Sequence, residues 1–242
     1  MKINIFKPVQ ELLMAVADYF VSIAQRSISS HGEFNVALSG GSSPKRLYEM
    51  LASPDFKHQV EWNKVNFFFG DERYVPADDR ENNSLMVKKA LFDPLKISSS
   101  NIFVINTLLS PEDAAKKYIS TITDHFKDQQ IRFDLIILGL GDNSHTASLF
   151  PYTFVLTDRS ASVKAVFLEQ QNVYRITMTA PLINQARHIA FLVYSEAKAE
   201  AVYHVLENGH DAEKYPAQLI HPGNGDLQWY LDEAAASGLK KE

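Results

Sequence analysis

The chain has 242 residues, a formal net charge of -5, 45% hydrophobic and 22% charged residues. This balance excludes a disordered or fibrous protein and leaves enough length to bury a sizeable core. The acidic balance argues against nucleic acid or an anionic membrane as the main partner, because either needs a broad basic surface, whereas a small anion needs only a few local cations and backbone N–H groups. Cysteine is absent, which excludes disulfides, thiolate nucleophiles, Cys-ligated zinc and iron–sulfur clusters and fits a reducing cytoplasm.

In chain order, "MKINIFKPVQELLMAVADYF" is interrupted by Gln10, Glu11 and Asp18, so it is too polar for a membrane span. Val9, Leu12, Leu13, Val16, Phe20, Ile23 and Ala24 share one helical face, and the segment is expected to be an amphipathic helix. "FNVAL" (34–38) reads as a strand, then "SGGSSP" as a loop, then a helix with Pro44 in its first turn. "VNFFF" (65–69) is expected to lead into "GDERYVP", with a helix near "NNSLMVKKALF". "NIFVI" (101–105) is expected to be a strand before the helix "SPEDAAKKYISTITDHF", whose Ser110 and Asp113 form a capping arrangement. "DLIIL" (134–138) feeds "GLGDNSHTASLFP". Three further strands, "VKAVFL", "YRITMT" and "HIAFLVY", precede a helix "EAKAEAVYHVLEN" ended by Gly209, and "HPGNGD" reads as a turn before "LQWYLDEAAA". The alternation predicts an α/β fold: one doubly wound domain over residues 1–242, with a mostly parallel sheet and a small antiparallel addition.

In such sheets the loops leaving the carboxyl ends of neighbouring strands converge on one crevice. "SGGSSP" places glycines and serines between a strand and a helix, which suits either an anion held by free N–H groups and hydroxyls or a plain turn with a serine cap. It is neither a P-loop nor a GxGxxG fingerprint. In "GDERYV", Asp71, Glu72 and Arg73 need solvent, mutual pairing or a ligand, and Arg73 can fork onto a carboxylate or phosphate. His145 follows Gly139 and Gly141 and is either a general base or a loop-bonding histidine. No HExxH or GxSxG pattern occurs, so zinc and a serine nucleophile are not expected, and Ser148 reads as structural. Arg175 and Lys198 are single cations. Lys198, in the first turn of its helix, opposes the usual dipole preference, a penalty that a bound anion would offset.

Taken together and in this order, "LSGGSSP", "DERYV", "GLGDNSHTASLFP", "RITMT" and the Lys198 helix resemble the 6-phosphogluconolactonase family, which belongs with the glucosamine-6-phosphate deaminases and isomerases. The resemblance covers nearly the whole chain. It implies a Rossmann-like α/β fold and cofactor-free, metal-independent hydrolysis of 6-phospho-D-glucono-1,5-lactone to 6-phosphogluconate in the cytoplasm. The expected partner is the small-molecule phosphorylated lactone, with no nucleic acid or membrane, while the sequence leaves the oligomeric state, monomer or weak dimer, open. On this resemblance His145 activates water. Ser39, Gly40, Gly41 and Ser42 form the phosphate loop, Arg175 and Lys198 are its cations, and Asp71 joins the binding set. Arg73 contacts the ring or carboxyl end. The oxyanion donors are Arg73 or backbone N–H groups.

Two positions depart from the family pattern. Asn143-Ser144-His145 stands where Asp-Gly-His is usual, so either Asn143 orients the imidazole or Asp142 takes that role after a small loop shift. Ser195 replaces a frequent glycine, a change that serine is expected to tolerate as a helix N-cap. The rival reading within the fold, a sugar-phosphate deaminase or isomerase, lacks its glutamate, since "TASLFP" stands where Phe-Asn-Glu-Pro is expected. A catalytically silent sugar-phosphate-binding protein is the alternative from another class.

Overall fold

A computed structural model describes residues 1–127 and 130–240. The strands are β1 (Lys2–Phe6), β2 (Phe34–Leu38), β3 (Val65–Phe69), β4 (Asp71–Arg73), β5 (Leu135–Leu138), β6 (Val163–Leu168), β7 (Val173–Met178), β8 (His188–Val193) and β9 (Asp226–Asp232). The helices are α1 (Val9–His31), α2 (Ser42–Leu51), α3 (Asn83–Val87), α4 (Asp93–Leu95), α5 (Pro111–Phe126), α6 (Ala180–Ile183) and α7 (Ala199–Leu206). A π-helical turn over Lys88–Phe92 joins α3 to α4.

Every residue of β2, β3 and β5 is buried, as continuous apolar strands must be when helices cover both faces of a parallel sheet. Six parallel strands run in the order β1-β9-β8-β5-β2-β3. The predicted face of α1 packs on this sheet, with Leu12, Leu13, Val16, Phe20, Ile23 and Ala24 buried, and the helix stops at Gly32, whose φ of +88° is a left-handed turn that glycine adopts without strain. The antiparallel addition is a separate sheet, β4-β7-β6. Gly70 alone separates β3 from β4. Its N–H donates to Leu38 O, and its carbonyl accepts from Met178 N at 2.8 Å, so one residue is bonded into both sheets.

Two sequence expectations need correction, and one segment to which the sequence reading gave no element proves to be a strand. The N-terminal segment is not helix alone, because β1 precedes α1 as a short edge strand of mixed exposure. "LQWYLD" is a strand, β9, inserted between β1 and β8. "NIFVI" is not a strand. It makes one bridge, Ile102 with Phe67, after which Phe103 stacks on Phe68 with ring centroids 4.5 Å apart and Val104 is exposed. Its apolar residues serve aromatic packing rather than a ladder. Ser110 does cap α5, accepting from Asp113 N at 3.2 Å. Among the described residues no helix is long and apolar enough to cross a membrane.

Candidate active site

β2 and β5 are neighbours, yet the chain proceeds from β2 outward to β3 and from β5 in the opposite direction to β8 and β9. This reversal of strand order opens a crevice at their carboxyl ends. Ser39-Gly40-Gly41 leave β2 there, Gly139 to His145 leave β5, and Ser195 to Lys198 follow β8, while β4 and β7 bring Arg73 and Arg175 from the smaller sheet. Together they line a cavity of about 360 Å³. Eight of the eleven expected site residues are in its wall: Ser39, Gly40, Gly41, Asp71, Arg73, His145, Arg175 and Lys198. Ser42 is exposed at the start of α2. Asp142 and Asn143 lie behind His145, in the wall of a neighbouring groove.

The loop after β5 is a tight turn closed by Gly141 N to His145 O (2.8 Å) and Ser144 N to Gly141 O (2.9 Å). His145 stacks on Phe150 with ring centroids 4.0 Å apart and planes 18° from parallel. Asn143 Oδ1 lies 2.5 Å from His145 Nδ1 and also accepts the backbone N–H of His145 at 3.4 Å. A backbone N–H can only donate, so the amide presents its oxygen, and Nδ1 therefore carries the proton. Nε2 is left with the lone pair and has no hydrogen-bond partner among the described residues. Burial, then Lys198, pull the imidazole pKa down to about 4, with Arg175 and Arg73 adding to this and Asp142 opposing it. The ring is neutral at pH 7. Asp142 does not take the orienting role: its Oδ1 lies 2.5 Å from Lys198 Nζ.

The cations are only partly paired. Arg73 and Arg175 are direct partners in the β4–β7 ladder, a placement that sets like charges opposite each other. Arg73 Nη1 donates to Glu81 O at 2.9 Å, and Arg175 donates to Tyr174 O and to Gln171 Oε1. Burial and the Arg73 charge both lower the Arg175 pKa. Asp71 is buried and accepts the Ser148 hydroxyl at 2.6 Å, and burial raises its pKa. Ser148 is thus structural, as expected, but in the wall of the cavity. Glu72 turns elsewhere. It accepts the N–H groups of Arg73, Asn83 and Ser84 at the start of α3, and burial nevertheless pushes it up to about 7.

The Ser39 hydroxyl is already committed, donating to Ile137 O at 2.7 Å, while its backbone bonds both ways with Tyr48 Oη. Ser39 ties β2 to β5, so it shapes the turn, and its hydroxyl is not free to donate to a phosphate as the sequence reading expected. Sequence reasoning missed Asn83, Phe150 and Gln171 in the cavity wall. The aromatic two residues after Ser148 was the available signal for an imidazole-stacking partner. Among the described residues no group of three or more His, Asp or Glu side chains converges as metal ligands do. The cavity offers one imidazole, three cations and the N–H groups of a glycine turn.

A model of the family described as glucosamine-6-phosphate isomerases/6-phosphogluconolactonase matches residues 7–229. The chain belongs to this family. A 6-phosphogluconolactonase of Synechocystis sp. is 39% identical over 221 residues, covering 89% of this chain and 88% of its own. One from Aggregatibacter actinomycetemcomitans is 36% identical over 234 residues, covering 97% and 98%. The solved 6-phosphogluconolactonase from Trypanosoma cruzi superposes with a TM-score of 0.87 at 26% identity, covering 99% of this chain and 97% of its own.

Within the 6-phosphogluconolactonase pattern, both departures put serine where the backbone is left-handed. Ser144 has φ +61°. Ser195 has φ +93° and ψ 151° and makes no side-chain cap, a region populated almost only by glycine. The N-cap expectation for Ser195 therefore fails. What holds it is Asp232 at the end of β9, whose two carboxylate oxygens accept Ser195 N at 3.1 Å each. Restoring glycine relieves strain of about 1–3 kcal/mol against an entropic loss of about 0.5–1. Ser195→Gly should accordingly raise the thermal midpoint by about 2–4 °C. An unchanged or lower midpoint in calorimetry would show that Asp232 already relieves the strain.

Proposed function

We propose that this enzyme hydrolyses 6-phospho-D-glucono-1,5-lactone to 6-phospho-D-gluconate, with His145 Nε2 as the base that activates water. The observation that carries the reading is a neutral, oriented imidazole with its lone pair free, in a cavity shared with three cations and a glycine turn. In the same reading, residues 1–242 act as one catalytic unit in the cytoplasm, without a cofactor. The turn of Gly40 and Gly41, with Ser42 at the N-terminus of α2, takes the phosphate together with Arg175 and Lys198.

The phosphate neutralises the cations that depress His145, so its pKa rises when substrate binds and the ring becomes a stronger base. Water then attacks C1 as Nε2 takes its proton, and the imidazolium returns that proton to the departing ring oxygen. Charge on the carbonyl oxygen is met by Arg73 or by backbone N–H groups of the glycine turns. A δ-lactone is an activated ester, so this set needs no covalent nucleophile. Binding the distant phosphate supplies the orientation.

The direct test follows acid release from freshly made lactone, whose opening by this protein must exceed the spontaneous rate. Ammonia released from glucosamine 6-phosphate without lactone opening would transfer the protein to the deaminase branch. The pH profile checks the base. In the free enzyme kcat/KM should rise with pH through about 4, where His145 loses its proton, and be level by neutrality. Asn143→Asp places a carboxylate on Nδ1–H, stabilises the imidazolium and should move that limb upward by about one pH unit or more. A limb that stays in place would show that position 143 does not tune the base.

A further inference from the structure

Asn83 opens α3 in the wall of the cavity and is 1% exposed. Its Nδ2 donates to Asp71 O at 3.0 Å and its backbone N–H to Glu72 at 2.6 Å. Its Oδ1 is buried and has no partner. The two other such atoms among the described residues belong to Asp134 and Trp229, neither of which lines the cavity. Turning the amide over would only set two acceptors together at Asp71 O, so the oxygen is fixed facing the glycine turn. There, a Cβ on Gly40 would stand 1.8 Å from Oδ1. Any side chain at position 40 would displace the amide.

A desolvated acceptor without a donor is a standing penalty to the folded protein, and such atoms are few in native structures. The cations of the cavity are engaged elsewhere, with Asp142, Glu81 and the Tyr174–Gln171 side. A polyhydroxylated ligand brings the missing donor. We propose that Asn83 is a substrate-binding residue whose Oδ1 accepts a hydrogen bond from a hydroxyl on the carbon chain of the phosphorylated sugar acid, beside the Gly40–Gly41 turn. This rests on the lactonase reading of the site. It makes Asn83 a reader of the sugar rather than of the phosphate.

The experiment measures binding of 6-phosphogluconate and of inorganic phosphate by calorimetry, with wild type and Asn83→Ala. The expected result is a split: 6-phosphogluconate binds about tenfold more weakly to the variant, while phosphate affinity changes by less than about twofold. If Asn83→Ala lacks a cooperative unfolding transition, Asn83→Ser takes its place with the same expected split, since its hydroxyl can still donate to a backbone carbonyl. Equal weakening of both ligands would reduce Asn83 to a prop for the glycine turn and overturn the proposal. Unchanged 6-phosphogluconate affinity would overturn it too. Failure of the lactonase reading registers separately, as wild type that binds phosphate but neither binds 6-phosphogluconate nor opens the lactone.

Discussion

His145→Ala is expected to lower kcat/KM for the lactone by about 10²–10⁴-fold, the usual contribution of a positioned general base, and to leave 6-phosphogluconate binding within a few-fold of wild type. The two readouts separate because the proposed role of the ring is at the reacting end, whereas the proposed phosphate groups are Gly40, Gly41, Arg175 and Lys198 on other loops. Removing the imidazole also removes a neutral, partly buried group rather than a charge, so no unpaired ion is left behind. Steady-state rates on fresh lactone and calorimetric titration with 6-phosphogluconate check both halves. Full activity in His145→Ala would end the mechanism proposed here, whatever the affinity.

The second large effect comes from a single methyl group. In Gly141→Ala the added Cβ would lie 2.0 Å from His145 Nδ1 and 2.1 Å from Cε1. The imidazole cannot simply slide away, because Phe150 covers one face and Asn143 holds Nδ1. It must rotate, breaking the bond that sets its tautomer. A displacement of about 1 Å at a reacting group is worth about 10²-fold in rate. The expected phenotype is that loss in kcat with KM little moved. Gly139→Ala is the comparison within the same loop, since its Cβ would meet nothing within 4 Å, and its loss should be far smaller. Equal losses in the two variants would point to general stiffening of the loop instead of a collision with the ring.

Periodicity and loop chemistry made much of this legible from the sequence. "FNVAL", "VNFFF" and "DLIIL" are apolar without alternation, which only strands covered on both faces tolerate, and the polar loops after them meet because parallel strands all end on one side. β1 and β9 were hidden for the opposite reason. β1 is an edge strand of mixed exposure, and "LQWYLDEAAA" ends in residues with helical propensity. Missing β9 also meant missing Asp232, the group that holds Ser195. Backbone angles cannot be read from residue type, so Ser195 looked like a good cap when the turn there demands glycine geometry.

Hydrogen-bond competition was equally invisible. Ser39 belongs to a serine-rich loop, but its hydroxyl is consumed by a strand 98 residues away. Asn83, in "ENNSLM", looks like one more polar residue at a helix start. Only the packing shows that Asn82 is the cap, accepting from Leu85 N, while Asn83 turns inward. Asn143 was the doubtful member of the loop after β5, and the geometry gives it a definite bond to His145.

The changeover at Gly70 divides the cavity between two frameworks. The imidazole, the glycine turn and Lys198 hang from the ends of the large parallel sheet, while Arg73 and Arg175 ride on the small antiparallel one, beside the hairpin that carries Gln171. The imidazole and two of the three cations of the cavity therefore hang from different sheets, joined in the chain between β3 and β4 by one residue. A shift of the β6–β7 hairpin would move Arg175 and Gln171 relative to His145 without disturbing the parallel strand ends from which the imidazole loop departs.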